Sequence, residues 1–212
     1  ATATATGSSE GTPTSDVTPT SGAGDTPTPV PTEPTLPLLG SQVGGMSLAV
    51  AVSGTRAALA QGAGVVMLDV SQPSNPRLLG QSELLGDVVR DLAYDGSFIF
   101  AAAGSAGLVA ISAGDPAAPH VVGTLAVVGP ARRVAVAGGW AYVLSGPAMD
   151  DSRLSVVDIS RPDDPSGPVL LGSVGLAYAE ARPAVSGGAV LVAIHSGALT
   201  ALDVSDPARP RR

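Results

Sequence analysis

The chain has 212 residues, a formal net charge of −7, 14% charged and 3% aromatic residues, and no cysteine. The negative charge disfavours non-specific binding to nucleic acid or to anionic membranes, since both need basic patches. The lack of cysteine excludes disulfides and thiolate metal sites, and no apolar run is long enough to cross a bilayer as a helix, so we expect no nucleic-acid partner and no membrane insertion.

Residues 1–35 consist mainly of Thr, Pro, Ser, Ala and Gly, with scattered acids and almost no large apolar side chains. Such a segment cannot bury enough apolar surface to offset the entropy of ordering, so the sequence predicts a disordered Thr/Pro-rich linker that acts as a spacer. An unmodified linker and an O-glycosylated stalk both stay open. The missing initiator Met and signal core indicate a processed chain or a fragment.

Residues 36–212 repeat one pattern four times. Each copy contains a short apolar run of Val, Leu and Ile that ends in Asp-Val-Ser-x-Pro or a variant, and most copies continue to Leu-Leu-Gly or a variant. Internal periods of roughly 45 residues indicate repeated supersecondary units. We place the approximate copies at residues 36–80, 81–124, 125–173 and 174–212.

Each copy has the composition of four short β-strands. Two apolar segments joined by Asp-Gly, Gly-Gly or a related turn precede the core run, and a fourth short segment follows it. Asp69, Asp158 and Asp203 end core runs, where we expect their carboxylates to bond nearby backbone amides and shape the turn. Four strands per copy predict an all-β, propeller-like array of about four four-stranded antiparallel blades.

The core runs Val-Val-Asp-Ile-Ser-x-Pro at residues 156–162 and Ala-Leu-Asp-Val-Ser-Asp-Pro at residues 201–207 resemble the LVIVD-repeat family, as does Gly-Trp-Ala-Tyr-Val at residues 139–143. The resemblance covers residues 36–212, although copy two departs from it with Ser-Ala-Gly at residues 112–114. It implies β-propeller repeats in secreted or surface-attached proteins, mostly of unassigned function. It supplies no catalytic residues.

The segment at residues 33–40 resembles the fourth-strand segment at residues 72–80. It could close a small ring by pairing near Leu38 with the strand at residues 199–204. Alternatively the chain is a truncated piece of a longer propeller, which we favour because the sequence stops at Arg212, where the other copies continue. An open array would leave sheet edges available for self-association.

One face of the predicted propeller collects charged loops, because the loops before the first strands share it with the loops between second and third strands. Asp87 and the insertion at residues 146–153 belong to this face. The predicted ligand-binding residues there are Arg90, Asp91, Arg132, Arg133, Glu180, Arg182 and His195. The arginines could clamp an anionic or carboxylate group. Alternatively they pair with Asp87, Asp91 and Glu180 and only satisfy a polar channel mouth, which is the interpretation we favour.

These features favour a non-enzymatic binding or scaffold module, extracellular or on the cell surface, without a cofactor and with a protein or surface ligand of unknown identity as partner. The alternative is a metal-dependent, lactonase-like propeller hydrolase. Such an enzyme needs several Asp, Glu, His or Asn ligands in the channel. Asp91 is the single carboxylate within a predicted first strand, and Asp150 and Asp151 are too few for a calcium cage, so we assign no catalytic or metal-binding residue.

Overall fold

The computed structural model describes residues 46–148, 150–164, 167–179, 181–195 and 197–212. Within these ranges the backbone forms fifteen β-strands in four antiparallel sheets, and no helix. The predicted linker at residues 1–35, the repeat boundary at residue 36, the closing strand near Leu38 and the candidate Glu180 lie outside the described residues. No helix in the described part of the chain is long and apolar enough to cross a membrane.

Each sheet is built from strands that are consecutive in the sequence and that pair in sequence order. Sheet 1 comprises β1 (Ser47–Ser53), β2 (Arg56–Gln61), β3 (Gly64–Asp69) and β4 (Arg77–Gln81). Sheet 2 comprises β5 (Asp91–Asp95), β6 (Phe98–Ala102), β7 (Leu108–Ser112) and β8 (His120–Leu125). Sheet 3 comprises β9 (Ala131–Ala137), β10 (Trp140–Ser145), β11 (Ser152–Asp158) and β12 (Val169–Leu176). Sheet 4 comprises β13 (Ala184–Ser186), β14 (Ala189–Ala193) and β15 (Leu199–Asp203).

The predicted all-β array of about four antiparallel blades is confirmed. Sheets 1 to 3 have the predicted four strands, whereas sheet 4 has three among the described residues. Beyond β15 the chain makes one isolated bridge, between Asp203 and Arg211.

The tight turns predicted between the first two strands of each copy are present. Gly54 joins β1 to β2 with φ at 58°, and Gly96 joins β5 to β6 with the same angle. Residues with side chains rarely adopt this left-handed conformation, which explains why glycine occupies both turns.

The aspartates that end the core runs shape turns, as predicted. In each case Oδ1 accepts a hydrogen bond of 2.9–3.0 Å from the backbone N–H two residues later, donated by Ser71 to Asp69, by Ser160 to Asp158 and by Ser205 to Asp203. These backbone bonds are the main reason why the pKa values of Asp69 and Asp158 lie below the ordinary range. The three carboxylates therefore serve the fold, at the end of each sheet away from the candidate site.

Three apolar clusters lie between consecutive sheets and hold them together. The first packs sheet 1 on sheet 2 around Met67 and Ile99, the second packs sheet 2 on sheet 3 around Phe100, and the third packs sheet 3 on sheet 4 around Leu154 and Leu202. The first strands of neighbouring sheets also contact one another, β1 with β5, β5 with β9, and β9 with β13. The sheets therefore stack like the blades of a propeller, with their first strands at the inner edge.

The outer faces of the first and last sheets carry exposed apolar side chains. Val50 and Val52 on sheet 1 are 56% and 60% exposed, and Leu199 on sheet 4 is 66% exposed. Alternation along the strands places these residues opposite the faces that join the clusters. Within the described residues the four sheets form a series with an uncovered face at each end.

Candidate functional site

A cleft of about 490 Å³ lies where the four first strands converge. Its walls come from every sheet, and the lining residues are Leu48, Ala49, Val50, Arg90, Asp91, Arg133 and Arg182. The structure therefore brings together four of the seven residues predicted from the sequence. Clefts lined by residues from several rigid elements are common positions for ligand sites.

The loops that border the cleft share one face because hydrogen bonds tie them together. The backbone N–H of Val89, in the loop before β5, donates to the carbonyl of Gly62 in the β2–β3 turn at 2.9 Å. His195, in the β14–β15 turn, likewise donates its backbone N–H to Tyr178 in the loop before β13 at 2.9 Å. These pairings join the two kinds of loop that the repeat pattern places on the same side.

Asp91 is the buried centre of the site. Its Oδ1 accepts the backbone N–H of Leu92 at 3.0 Å, and its Oδ2 accepts the backbone N–H of Val134 on β9 at 2.9 Å. A carboxylate held by backbone donors from two sheets has a fixed orientation. Asp91 therefore presents its remaining lone pairs in one direction, toward the loop that precedes β13.

Arg182 fills that position from sheet 4. Its Nε donates to Asp91 Oδ2 at 3.0 Å and its Nη2 donates to Asp91 Oδ1 at 2.7 Å, which is a bidentate ion pair, and Nη2 also donates to the carbonyl of Leu92. The Asp91 side chain is 10% exposed and the Arg182 side chain 45%. Arg182 thus pairs with a carboxylate of the protein itself, as in the alternative favoured in the sequence analysis, and Asp91 balances its charge.

Arg90 and Arg133 differ from Arg182 because, in the part of the chain that the structure describes, no carboxylate holds them in this way. The guanidinium of Arg133 donates one hydrogen bond, from Nη1 to the carbonyl of Arg132 at 2.9 Å, which leaves most of its five N–H donors for other partners. Arg90 is exposed, and its guanidinium makes no hydrogen bond within the described residues. Asp87 has a lowered pKa chiefly because the backbone N–H groups of Ser105 and Val88 donate to it, and the charge of Arg90 adds to the shift.

Two further candidates do not line the cleft. Arg132 donates from Nη2 to Ser152 Oγ at 2.6 Å and to the carbonyl of Ala179 at 3.4 Å, so it links β11 to the loop before β13. The His195 side chain is exposed in its turn. Arg132 lies in a β-bulge of β9, because Ala131 is opposite Ser145 and Arg133 is opposite the adjacent Leu144 on β10. A bulge re-aims side chains, and here it separates Arg132 from Arg133.

The sequence interpretation missed the apolar wall formed by residues 48–50 of β1. A signal was available, since this segment is the first strand of copy one and the first strands were expected to line the channel. The prediction considered only charged side chains, however. Leu48 and Val50 give a ligand a surface for carbon atoms beside the guanidinium groups.

The balance of charge in the cleft is opposite to that of the chain. Three arginines and one aspartate line it, whereas the whole sequence carries a net charge of −7. Such a site attracts anions, and guanidinium groups bind carboxylates with paired hydrogen bonds. No group of three or more His, Cys, Asp or Glu side chains that could hold a metal ion occurs among the residues that the structure describes.

The profile of the family described as LVIVD repeat matches residues 44–83, 128–175 and 182–211. Most of copy two lies outside these matches, in agreement with its departure from the core pattern. No curated protein sequence matches the chain significantly.

Solved structures that resemble the chain are propeller proteins of low sequence identity. The computationally designed Ika4 protein matches with a TM-score of 0.61 and 13% identity, over 76% of this chain and 92% of Ika4. The designed Ika8 protein matches with a TM-score of 0.60 and 13% identity, over 76% of this chain and 46% of Ika8. BamB from Moraxella catarrhalis matches with a TM-score of 0.57 and 15% identity, over 78% of this chain and 52% of BamB. The chain spans about half the length of Ika8 and BamB, and at these identities the likeness concerns the fold alone.

Proposed function

The chain belongs to the LVIVD-repeat family, and we propose that it is a non-enzymatic binding module whose inner cleft holds a carboxylate group carried by its partner. The observation that supports this proposal is the unequal pairing of the three cleft arginines. Arg182 is neutralised by Asp91, whereas among the described residues no carboxylate engages Arg90 or Arg133 in the same cleft as Asp91 engages Arg182.

The chemistry of the cleft favours a carboxylate attached to a short apolar chain. Arg133 and Arg90 offer planar sets of N–H donors, which match the two oxygens of a carboxylate better than a single charge does. Leu48 and Val50 lie beside them and would contact the carbon atoms that bear the acid. An acidic side chain or the carboxyl terminus of a partner protein has this composition.

The proposal is tested with glutarate, a small dicarboxylate, titrated into the purified chain by calorimetry at low salt. We expect saturable binding that weakens by about 5- to 20-fold in Arg133→Gln and in Arg90→Gln, because each variant loses a charged hydrogen bond in a partly exposed site. Binding should also weaken as salt rises.

Two controls make the result specific. Arg161→Gln changes an exposed arginine in the β11–β12 turn and should leave glutarate affinity unchanged. Glutaramide, the neutral diamide, should not bind. Equal losses in Arg161→Gln and Arg133→Gln would contradict the proposal, as would stoichiometric, tightly bound Ca²⁺ or Zn²⁺ in the purified protein, which would support the metal-dependent hydrolase instead.

We further propose that the module acts outside the cell or on its surface. The Thr/Pro-rich composition of residues 1–35 supports this, because such a spacer would hold a binding domain away from its attachment. The protein should then be found by antibody in the culture medium or on intact cells. Detection in the cytoplasm alone would contradict the proposal.

A further inference from the structure

The glycine of each fourth strand touches the following sheet. Gly80, Gly123 and Gly172 each pair with a core strand directly beside a one-residue register shift. A Cβ added to Gly80 would lie 2.5 Å from the carbonyl oxygen of Ala117, one added to Gly123 would lie 2.7 Å from Pro168, and one added to Gly172 would lie 2.5 Å from the carbonyl oxygen of Ala208. In every case the neighbour lies in the segment that follows the third strand of the next sheet.

Glycine is needed at these three positions because a side chain would overlap the next sheet, and not because of the backbone angles. None of the three has a positive φ, so a larger residue could adopt the same backbone angles. The residue before the glycine adds an apolar contact, since Leu79 packs against the cluster between sheets 1 and 2, and Val122 packs against the cluster between sheets 2 and 3. A fourth strand therefore docks forward on the next sheet with one apolar side chain and one glycine.

Sheet 1 has the receiving surface for such a contact. Its turn at residues 72–76 corresponds to the turn at residues 115–119, which meets Gly80. On the same outer face, strand register aligns Val52, Ala57, Leu68 and Leu78. The two ends of this row, Val52 and Leu78, are exposed, whereas Ala57 is buried and Leu68 half-buried. Among the described residues, nothing that precedes sheet 1 supplies the turn and this apolar row with the partner that sheets 2, 3 and 4 receive from the preceding sheet.

The chain carries a segment of the right sequence directly before sheet 1. Residues 36–40 read Leu-Pro-Leu-Leu-Gly, which repeats the Leu-Leu-Gly of residues 78–80. Six residues separate Gly40 from the start of β1 at Ser47, and seven separate Gly123 from the start of β9 at Ala131. The connection is thus nearly as long as one that the fold already uses.

We propose that residues 36–40 dock on the outer face of sheet 1, with Leu39 against this apolar row and Gly40 against the backbone of the turn at residues 72–76. This docking repeats the contact that Leu79 and Gly80 make with sheet 2. It requires no particular number of sheets in the array, because it concerns only the strand that precedes sheet 1 and the sheet that receives it.

Substitution of the glycine gives the first test. Gly40→Val should lower the thermal midpoint by about 3–10 °C, because the added side chain would overlap backbone atoms that cannot move freely. Gly80→Val is the reference for a docked glycine and should have an effect of the same size. Gly24→Val, within the Thr/Pro-rich segment, should leave the midpoint unchanged.

A cross-link gives a second test that does not depend on the stability of the glycine variants. The chain has no cysteine, so the pair Ser41→Cys with Ser74→Cys can be oxidised without competing thiols. Gln81→Cys with Ala117→Cys is the matched pair in the next repeat, since each first member follows the glycine and each second member lies in the receiving turn. We expect both pairs to form a disulfide within one chain.

Two results would overturn the proposal. One is a Gly40→Val variant as stable as Gly24→Val when Gly80→Val is destabilised. The other concerns the variant with Ser41→Cys and Ser74→Cys. Its two thiols would stay reduced, or would link two chains only, under conditions in which the matched pair closes within one chain. Size-exclusion chromatography of the oxidised protein separates the one-chain product from the two-chain product.

Discussion

Asp91 connects three sheets at the residue scale. Its carboxylate accepts hydrogen bonds from sheet 2 through Leu92, from sheet 3 through Val134 and from sheet 4 through Arg182. A buried carboxylate is stable in the fold only when such donors replace its water. Asp91 therefore positions Arg182 and the inner strands, while the proposed function assigns the binding charge to Arg90 and Arg133.

The substitution Asp91→Asn should lower the free energy of unfolding by about 1–3 kcal/mol, because it removes the charge that balances Arg182 while keeping the size of the side chain. The partial exposure of Arg182 limits the loss, since water can solvate part of its guanidinium. Denaturant unfolding measures the change. Asp95→Asn, at the exposed last residue of β5, is the control and should fall within about 0.5 kcal/mol of the parent. An Asp91→Asn protein of parental stability would contradict this role.

The lowered pKa of Asp203 predicts how the stability of the fold depends on pH in acid. The Ser205 hydroxyl, the Ser205 backbone N–H and Arg211 lower its pKa from 3.8 to about 2. Because the folded pKa is below the unfolded value, ionised Asp203 stabilises the fold above pH 3.8, and this contribution is lost as the pH falls toward 2. Acid titrations of unfolding should therefore show a shallower decline for Asp203→Asn than for the parent over this window. Identical slopes would show that these hydrogen bonds do not persist in solution.

The neighbours Arg132 and Arg133 show how far the sequence predicts the site. The repeat pattern placed both in the loop that enters a first strand, whereas the structure has both within that strand, near the start of β9. Their different roles depend on which side of β9 each side chain takes, and that is set by pairing with β10 and contact with β5. The sequence alone does not contain this register, so it could name the arginines but could not separate the cleft residue from the one that bonds Ser152.

At the scale of the element, the fourth strand of a sheet packs directly against the next sheet. Gly172 and Gly175 lie on the same strand, β12, yet only Gly172 faces the next sheet. A Cβ on Gly172 would lie 2.5 Å from the carbonyl oxygen of Ala208, whereas a Cβ on Gly175 would meet nothing within 4 Å. The two glycines form a matched pair of positions within one strand.

We expect Gly172→Val to lower the free energy of unfolding by about 1–3 kcal/mol, because the new side chain must push apart two packed backbones. Gly175→Val should be neutral or slightly stabilising, since a β-branched residue suits an exposed strand position. Chemical denaturation of the two variants checks both expectations. Equal effects at the two positions would mean that the fourth strand does not pack forward as the structure has it.

The strands and hairpins could be predicted from the sequence because their signals are local. Asp-Gly at residues 95–96 marks a tight turn, and the run at residues 65–70 marks a buried strand, whatever lies elsewhere in the chain. The function of the repeated Leu-Leu-Gly could not be found in this way. Gly80 on sheet 1 meets Ala117 on sheet 2, and a contact between residues so far apart in the sequence leaves no pattern in the Leu-Leu-Gly segment itself.

At the scale of the whole molecule, the repeat gives residues 46–212 both the arrangement of their sheets and the cleft. Consecutive sheets are joined by apolar clusters, and their first strands converge on one cleft. The described residues leave the outer faces of sheets 1 and 4 uncovered, so self-association stays a prediction, and size-exclusion chromatography of the parent chain tests it. The arrangement concentrates positive charge at the inner edge of an acidic chain, which is the property that the proposed function requires.

The most direct measurement is an NMR titration that observes the arginine Nε–Hε groups one by one as glutarate is added. The account predicts that the signals of Arg90 and Arg133 shift together and saturate, whereas Arg182 changes little because Asp91 already holds its Nε–H. Arg161, in the distant β11–β12 turn, should not respond. Shifts spread evenly over all exposed arginines, or signals of Arg90 and Arg133 that stay fixed while the others move, would contradict the account.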